Sequence, residues 1–235
     1  MSAPRFSLVV PTYNERENIP AFISSAHGAL EKISHEIIIV DDDSPDLTWK
    51  VVEDLAKTVP WLRVVRRIGR RGLSSAVLEG FEAATAPILG VMDADLSHDE
   101  KILPALIAAI DEGADLAVGS RRIPGGGATH WPWYRRMTSW GATMMAKALL
   151  KISISDPMSG FFVLTRALYE ECGARLEPTG YKILLEIYCK GRPGRVSEVP
   201  FVFQDRRQGY SKLSTGVMRD FISMVLRLRR SRPSA

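Results

Sequence analysis

The sequence predicts an α/β fold with a mostly parallel central sheet that helices cover on both faces. Short apolar segments alternate along the chain with segments in which apolar residues recur at helical spacing. The apolar segments are continuous, as is typical of strands buried on both faces of a parallel sheet. With 235 residues, the chain is long enough for one domain with a well-buried core.

Strands and helices follow each other regularly in the first half of the chain. Apolar runs predict strands at residues 6–10, 36–40, 62–65, 87–92 and 115–118. Helical spacing of apolar residues predicts helices at residues 19–33, 48–57, 74–84 and 102–110. Parallel strands need such crossover helices, so this order favours a parallel sheet.

The second half is less regular. An apolar stripe predicts a helix over residues 137–152, strands are predicted at 161–164 and 196–203, and a short helix lies near 181–189. A last amphipathic helix spans residues 217–228. We therefore expect one domain over residues 1–213, followed by a basic amphipathic helix and tail over residues 214–235.

Composition and charge narrow the class of protein. Residues are 46% hydrophobic and 25% charged, no apolar run reaches the ~18 residues of a membrane span, and no signal-peptide pattern opens the chain. A cytoplasmic location is expected, with Cys172 and Cys189 as buried thiols. From Arg206 onward eight basic residues face one acid, so this end carries +7 and the rest −3. That asymmetry favours a local anionic partner over nucleic acid.

Polar clusters follow four of the predicted strands, at residues 11–15, 41–45, 93–95 and 119–122. Ligands of open parallel sheets bind beyond the carboxyl ends of the strands, so the clusters should converge on one crevice. Asp93 and Asp95 are hard oxygen ligands of the kind that Mg²⁺ or Mn²⁺ prefers beside substrate phosphates. No Gly-x-Gly-x-x-Gly or Walker-type loop is present, which disfavours a Rossmann dehydrogenase or a P-loop NTPase.

Taken singly, these clusters have simpler interpretations. An Asp-x-Asp pair is often a turn or a helix cap, and residues 41–43 could form a solvated turn or the acidic pocket of a receiver domain. A receiver domain is about half this length, and it would explain neither the second acidic pair nor the basic C-terminal end.

The ordered series of motifs resembles the family 2 glycosyltransferases of the GT-A fold, and among them the dolichyl- and polyprenyl-phosphate mannosyltransferases. The matching segments are VPTYNEREN (10–18), VDDDSPD (40–46), GLSSAV (72–77), MDADLSH (92–98), DPMSGFF (156–162) and GYKIL (180–184). The resemblance covers the chain to about Leu213.

The resemblance implies a role for each matching residue. The implied nucleotide-pocket residues are Pro11, Tyr13, Glu15, Val40 and Asp42. The implied metal and diphosphate motif comprises Asp93, Ala94 and Asp95, with Ser97 as a further candidate ligand where some relatives carry Gln. The implied donor-phosphate loop contributes Arg206 and Lys212, which act with Asp95 in catalysis. The implied acceptor-phosphate residues are Arg121, Arg135 and Ser139.

The implied reaction is an inverting, metal-dependent transfer of a hexose, most simply mannose from GDP-mannose, to a dolichyl or polyprenyl phosphate. Polysaccharide-forming relatives carry a Glu-Asp pair followed by Gln-x-x-Arg-Trp, and neither occurs in the second half of this chain. A phosphate acceptor is already an anion and needs no general base. A UDP-sugar donor of the glucose type, or a nucleotide-sugar-binding protein without catalysis, remain alternatives.

The C-terminal helix has two interpretations. Val217, Phe221, Met224, Val225 and Leu228 share one face, which could pack on the body or lie on anionic lipid. We expect an enzyme that is peripheral at the membrane and reaches its acceptor through this helix or through a membrane-anchoring partner subunit.

Overall fold

The computed structural model describes residues 3–129, 133–177, 182–204 and 215–230. The strands within these ranges are β1 (Phe6–Thr12), β2 (His35–Asp41), β3 (Leu62–Arg66), β4 (Ile88–Val91), β5 (Leu116–Ser120), β6 (Gly127–Ala128), β7 (Phe162–Thr165), β8 (Val196–Pro200) and β9 (Val202–Phe203). The α-helices are α1 (Ile19–Ala29), α2 (Thr48–Ala56), α3 (Leu73–Ala83), α4 (Leu103–Asp111), α5 (Trp133–Leu150), α6 (Arg166–Cys172), α7 (Ile183–Gly191) and α8 (Thr215–Arg230). Short 3₁₀ turns precede α4 and follow α6.

Seven strands form one sheet in the order β3-β2-β1-β4-β7-β5-β8. The pairs β3–β2, β2–β1, β1–β4 and β5–β8 are parallel, whereas β7 runs antiparallel to both β4 and β5. The other six strands of this sheet therefore point the same way. The predicted mostly parallel α/β sheet is confirmed.

Helices cover both faces because successive strand residues point to opposite sides. Leu8 and Val10 of β1 belong to the apolar layer that α1, α2 and α4 close. Val9, between them, belongs to the layer closed by α3, α6 and α7. Burial on both sides explains why the strands are continuously apolar in sequence.

Gly80 allows α3 to approach the sheet closely. A Cβ atom at this position would lie 2.2 Å from Cγ1 of Val9 and 3.0 Å from Cγ2 of Val40. No real side chain tolerates such contacts, so a glycine at this position of α3 sets the helix–sheet distance.

The structure differs from the prediction in two elements. Residues 196–203 form two strands rather than one, because the chain leaves the sheet edge after Pro200 and β9 pairs with β6 in a separate two-stranded sheet. The unpredicted helix α6 begins directly after β7, where the Thr165 hydroxyl accepts a hydrogen bond from the Leu168 N–H at 3.2 Å. A strand that runs into a helix without Gly or Pro leaves no boundary in the sequence.

A third apolar cluster joins α8 to α5 and α7. The buried members on α8 are Phe221, Met224, Val225 and Leu228. Arg227 adds two ion pairs, to the buried Glu186 (2.8 Å) and to Glu177 (2.6 Å). The face predicted to be apolar on the last helix therefore packs on the body of the protein. The boundary predicted near residue 213 lies outside the described residues.

Candidate active site

The strand ends that carry the predicted site lie along one edge of the sheet. The carboxyl ends of β2, β1, β4 and β5 meet there in this spatial order. Because β7 is antiparallel to its neighbours, the loop that precedes it also reaches this edge. We call the part near β2 and β1 the β2 side, and the part near β5 the β5 side.

Asp41 fixes the two loops of the β2 side. Its buried carboxylate accepts hydrogen bonds from the Thr12 hydroxyl (2.8 Å), the Ser44 N–H (2.8 Å) and the Ser44 hydroxyl (2.7 Å). Ser44 Oγ in turn accepts from the N–H of Asn14, whose backbone is left-handed with φ 61°. The first residue of the acidic run is thus a structural group and not a solvated turn residue.

Asp42 forms a buried ion pair with Arg67. The Arg67 guanidinium donates to Asp42 Oδ1, to Glu79 Oε1 (3.0 Å) and to Ser75 Oγ (2.6 Å), while the Gly72 N–H donates to Asp42 Oδ2 (2.8 Å). Arg67 is 1% exposed and Asp42 8%. Burying these charges is tolerable because they are paired and hydrogen-bonded. Each Asp42 oxygen keeps a lone pair for a ligand.

The remaining predicted nucleotide-pocket residues lie around this pair. Tyr13 is exposed, and the guanidinium carbon of Arg71 lies 4.5 Å from the centre of its ring. Pro11 and Glu15, in the same stretch as Tyr13, are partly buried. The Val40 side chain is fully buried in the core, so its backbone is the part that can face a ligand.

Asp93 and Asp95 follow β4, in the centre of the edge. Asp95 is buried, and its Oδ1 accepts from the Ser97 N–H (3.1 Å) and the Ser97 hydroxyl (2.5 Å). These two hydrogen bonds give the fully buried Ser97 a role in orienting Asp95. The role of Ser97 as a metal ligand stays a prediction. Asp93 faces Gly160, where a Cβ would lie 3.2 Å from Oδ2. Ala94 is buried between the two carboxylates.

His98 anchors the loop that carries the two carboxylates. Its ring is buried among those of Phe161, Phe201 and Phe203, with centroids 5.3 to 5.6 Å away. Its Nδ1 lies 3.4 Å from the N–H of Asp93. His98 therefore supports the acidic loop through packing.

The donor set of the site suits a hard divalent ion. Within residues 3–129, 133–177, 182–204 and 215–230, no three His, Cys, Asp or Glu side chains are grouped to hold a metal by themselves. Asp93 and Asp95 offer carboxylate oxygens, so Mg²⁺ or Mn²⁺ would take its other ligands from phosphates and water, as Mg²⁺ commonly does.

The β5 side carries basic groups. Arg121 forms a two-pronged ion pair with the fully buried Asp156, with Nε–Oδ2 at 2.6 Å and Nη2–Oδ1 at 2.9 Å. Arg122 Nε lies 4.0 Å from Asp156, and Glu198 accepts from the backbone N–H groups of Ser155 and Asp156. Burial opposes ionisation of Asp156, but the hydrogen bonds and charge of Arg121 outweigh it and hold the pKa of Asp156 below its ordinary value.

Lys182 completes this group from the start of α7. Its Nζ lies 3.5 Å from the carbonyl oxygen of Met158, in the loop before β7. Burial and the charge of Arg121 lower the pKa of Lys182, while Asp93 and Asp156 act in the opposite direction. The loop that Lys182 contacts carries Gly160, against Asp93, and Asp156, against Arg121, so the ammonium lies between the acidic centre of the edge and the basic β5 side.

The structure does not describe the side chains of four predicted site residues. Arg206 and Lys212 fall outside the described residues. Arg135 and Ser139 belong to α5, but their side chains are likewise outside the description. Their roles stay predictions.

Three residues of the site had no assigned role in the sequence analysis. Asp156 and Lys182 lie within two of the motifs that carry the resemblance, DPMSGFF and GYKIL, so position alone could have singled them out. Arg67 follows β3 directly and is one of several arginines there, and nothing in the sequence distinguishes the buried one.

The fold and the site together define a GT-A glycosyltransferase: a mostly parallel sheet with a carboxylate pair and basic groups along its carboxyl edge. The chain belongs to the family described as "Glycosyl transferase family 2", whose model matches residues 7–173.

Curated relatives resemble the chain along nearly its whole length. It is 45% identical over 226 residues to a dolichol-phosphate mannosyltransferase of Pyrococcus furiosus, a match that covers 95% of this chain and 63% of that relative. It is 39% identical over 233 residues to the dolichol-phosphate mannosyltransferase of Saccharomyces cerevisiae, covering 95% and 86%. It is 35% identical to a polyprenol monophosphomannose synthase of Mycolicibacterium smegmatis, covering 94% and 85%.

Solved structures share the fold at lower identity. Glucosyl-3-phosphoglycerate synthase from Mycobacterium tuberculosis, crystallised with Mn²⁺, UDP-glucose and phosphoglyceric acid, matches 98% of this chain and 81% of its own with a TM-score of 0.73 and 20% identity. A mannosyltransferase from Pyrobaculum calidifontis in complex with GDP-mannose and Mn²⁺ matches all of this chain and 67% of its own, with a TM-score of 0.67 and 20% identity.

Proposed function

We propose that this protein transfers mannose from GDP-mannose to a dolichyl or polyprenyl phosphate with inversion at the sugar, in a reaction that depends on Mg²⁺ or Mn²⁺. The observation that carries the proposal is the division of one sheet edge into an acidic centre and a basic β5 side. Asp93 and Asp95 suit a metal-bound donor diphosphate, and the group around Arg121 suits a second anion. The names of the relatives support mannose and a lipid phosphate as the two substrates.

The chemistry requires stabilisation of the leaving group. As the bond between C1 of mannose and the donor diphosphate breaks, a negative charge develops on the departing GDP. A divalent ion held by Asp93 and Asp95 would supply positive charge to the diphosphate. Asp95 is held in place for this task by Ser97. Arg206 and Lys212 are proposed to add positive charge from the donor loop.

The acceptor needs no protein base. A lipid phosphate arrives as an anion, and one of its oxygens forms the new bond to C1 as GDP leaves. The buried carboxylate of the β5 side, Asp156, is a poor base because Arg121 occupies both of its oxygens and keeps it ionised. This arrangement favours an anionic acceptor over a sugar hydroxyl.

The donor and acceptor are tested together. Purified protein is incubated with undecaprenyl phosphate and, in separate reactions, with radiolabelled GDP-mannose, UDP-glucose and UDP-N-acetylglucosamine. We expect label in the organic phase from GDP-mannose with Mn²⁺ or Mg²⁺, and none with EDTA. Label from a UDP-sugar alone would replace the donor assignment, and label from no donor would favour the binding-only alternative.

The metal role is tested by substitution. Asp93→Asn and Asp95→Asn remove one charged ligand each and should lower transfer at least a hundredfold. Asp54→Asn is the control, because Asp54 is exposed on α2 and pairs with Lys50 of the same helix and with Lys57 directly after it. Full activity of either site variant, or full activity of the wild type in EDTA, would refute the metal role.

A membrane surface is the proposed location of the acceptor. Trp133, Met137, Trp140 and Met144 recur on one face of α5 and are 45% to 73% exposed. Ile222 and Leu226 on the packed helix α8 are also exposed, and Arg229 and Arg230 follow them. Exposed tryptophans, and exposed apolar residues followed by arginines, suit the lipid–water interface. Among the helices in the described ranges, none is both long and apolar enough to cross a bilayer.

Co-sedimentation with vesicles containing phosphatidylglycerol tests this location. The intact chain should bind, and the double variant Trp133→Ser/Trp140→Ser should bind at least fivefold less. Trp49→Ser serves as the control, because Trp49 lies on α2 under Arg66. Equal binding by the double variant would reject the α5 face, and no binding by the intact chain would favour a membrane-anchoring partner subunit.

A further inference from the structure

Lys182 is an incompletely satisfied cation at the candidate site. It is the residue directly before α7, and its ammonium group has the Met158 carbonyl oxygen, at 3.5 Å, as its hydrogen-bond partner within the described part of the chain. An ammonium group has three donors, so this one long contact leaves capacity for a ligand. Partial burial makes that incompleteness costly, and an anion bound beside it would remove the cost.

The charges around Lys182 show how much it contributes to the net charge of the site. On the β5 side Arg121 and Arg122 approach Asp156, and Glu198 lies behind the backbone of the same aspartate. Two arginines and two carboxylates cancel. Among the side chains of this group that the structure describes, Lys182 therefore supplies the net positive charge.

Arg121 alone is poorly placed to neutralise an incoming anion. Two of its three guanidinium nitrogens, Nε and Nη2, already donate to Asp156. The ion pair fixes the orientation of the guanidinium. A second cation would share the charge of a phosphate that binds there.

The position of Lys182 favours a contact with the acceptor phosphate over one with the donor diphosphate. The nucleotide pocket lies at the ends of β2 and β1, on the far side of Asp93 from β5. Met158, the contact of Lys182, lies in the loop between Asp156, which pairs with Arg121, and Gly160, which faces Asp93. Lys182 therefore lies on the β5 side of the metal pair. An acceptor that attacks the donor sugar has to approach from this side.

We infer that Lys182 binds the acceptor phosphate together with Arg121, and thereby holds the attacking oxygen beside the metal-bound donor. This inference rests on the proposed function. It makes Lys182 an acceptor-binding residue in addition to those that the motifs imply. No proton is transferred, because the ammonium acts as a hydrogen-bond donor and as a charge.

Steady-state kinetics of Lys182→Met and Lys182→Arg test the inference. Lys182→Met keeps the length of the side chain and removes its charge, so KM for undecaprenyl phosphate should rise at least tenfold. The affinity for GDP with Mn²⁺, measured by calorimetry, should stay within twofold of the wild type. Lys182→Arg should recover part of the loss, because it restores a cation.

Lys190→Met is the matched control. Lys190 lies on α7, the helix that Lys182 precedes, and contacts Arg175 and Glu177. This variant should leave the KM for undecaprenyl phosphate and the affinity for GDP unchanged. The inference is overturned if Lys182→Met leaves the acceptor KM unchanged, or if it lowers GDP affinity as much as acceptor affinity. If the wild-type protein transfers no label to lipid from any donor, the proposed function itself is refuted. The two failures are therefore distinguishable.

Discussion

The guanidinium of Arg67 and the carboxylate of Asp42 form a buried ion pair at the ends of two adjacent strands. Asp42 follows β2 and Arg67 follows β3, and the Arg67 N–H also donates to the backbone oxygen of Asp41 at 2.8 Å. The same pair holds Gly72, at the start of α3, through its N–H and its carbonyl oxygen. One charge contact thus joins two strand ends and a helix start beside the proposed nucleotide pocket.

Replacing Arg67 by methionine should destabilise the fold and weaken nucleotide binding together. Breaking a buried ion pair by removing one partner costs about 3–5 kcal/mol, because the other charge stays buried. We expect a lower thermal midpoint and at least a tenfold loss of GDP affinity by calorimetry. Arg70→Met is the control: Arg70 pairs with the same Glu79 but is exposed, and such surface pairs contribute about 0–1 kcal/mol. Equal effects of both variants would contradict the role of burial.

Adding one methyl group at Gly160 should disturb the acidic centre. The new Cβ would lie 3.2 Å from Asp93 Oδ2, so the carboxylate or the loop has to shift by a few tenths of an ångström. We expect Gly160→Ala to need a severalfold higher Mn²⁺ concentration for half-maximal transfer. Gly141→Ala is the matched control, because a Cβ on this glycine of α5 meets no heavy atom within 4 Å. An unchanged Mn²⁺ requirement would show that Gly160 does not constrain Asp93.

Cys172 should resist alkylation in the folded protein. Its side chain is fully buried, and burial raises the pKa of its thiol to about 11. At pH 8 on the order of 0.1% would be thiolate, which is the reactive form. We expect negligible iodoacetamide modification of Cys172 by mass spectrometry in buffer, and complete modification in guanidinium chloride. Rapid labelling of the native protein would disprove this burial.

His35 should make the fold less stable at mildly acidic pH. Burial lowers the pKa of His35, and the ring of His27 beside it, with Nδ1 3.1 Å from His35 Nε2, acts in the same direction. The unfolded chain then binds more protons than the folded one, so the free energy of unfolding falls as the pH drops below about 6.5.

Urea unfolding at pH 7.5, 6.5 and 5.5 measures this effect. His35→Gln should flatten the dependence of the free energy of unfolding on pH across this range. An equally steep dependence in the variant would assign the acid sensitivity to other groups.

The sequence predicted the architecture well because the fold depends on a pattern that is local. Continuous apolar strands such as residues 36–40, separated by amphipathic helices, define a parallel sheet with few alternatives. The reversed direction of β7 and the split between β8 and β9 were not predicted, since both depend on pairing partners distant in sequence. The apolar pattern of residues 196–203 is the same whether they pair with one sheet or two.

The candidate site was predictable to the extent that it is made of strand ends. Asp42 and Asp93 follow strands β2 and β4, so topology alone brings them to one edge. The interactions of Asp42 with Arg67 and of Arg121 with Asp156 were not predictable from spacing, because each joins residues 25 or more positions apart. Such partners can be assigned only when the side chains are seen to meet.

The antiparallel strand β7 links the spacing of the two proposed substrate sites to the register of the sheet. The loop before β7 carries Gly160, against the acidic centre, and Asp156, against Arg121. β7 pairs with β4 on one side and β5 on the other, through four residues or fewer on each. A slip of one residue would move this loop by about 3.3 Å along both neighbours and exchange the two buried faces of the strand. The distance between the proposed donor and acceptor sites would therefore be set by the hydrogen-bond ladder of one short strand.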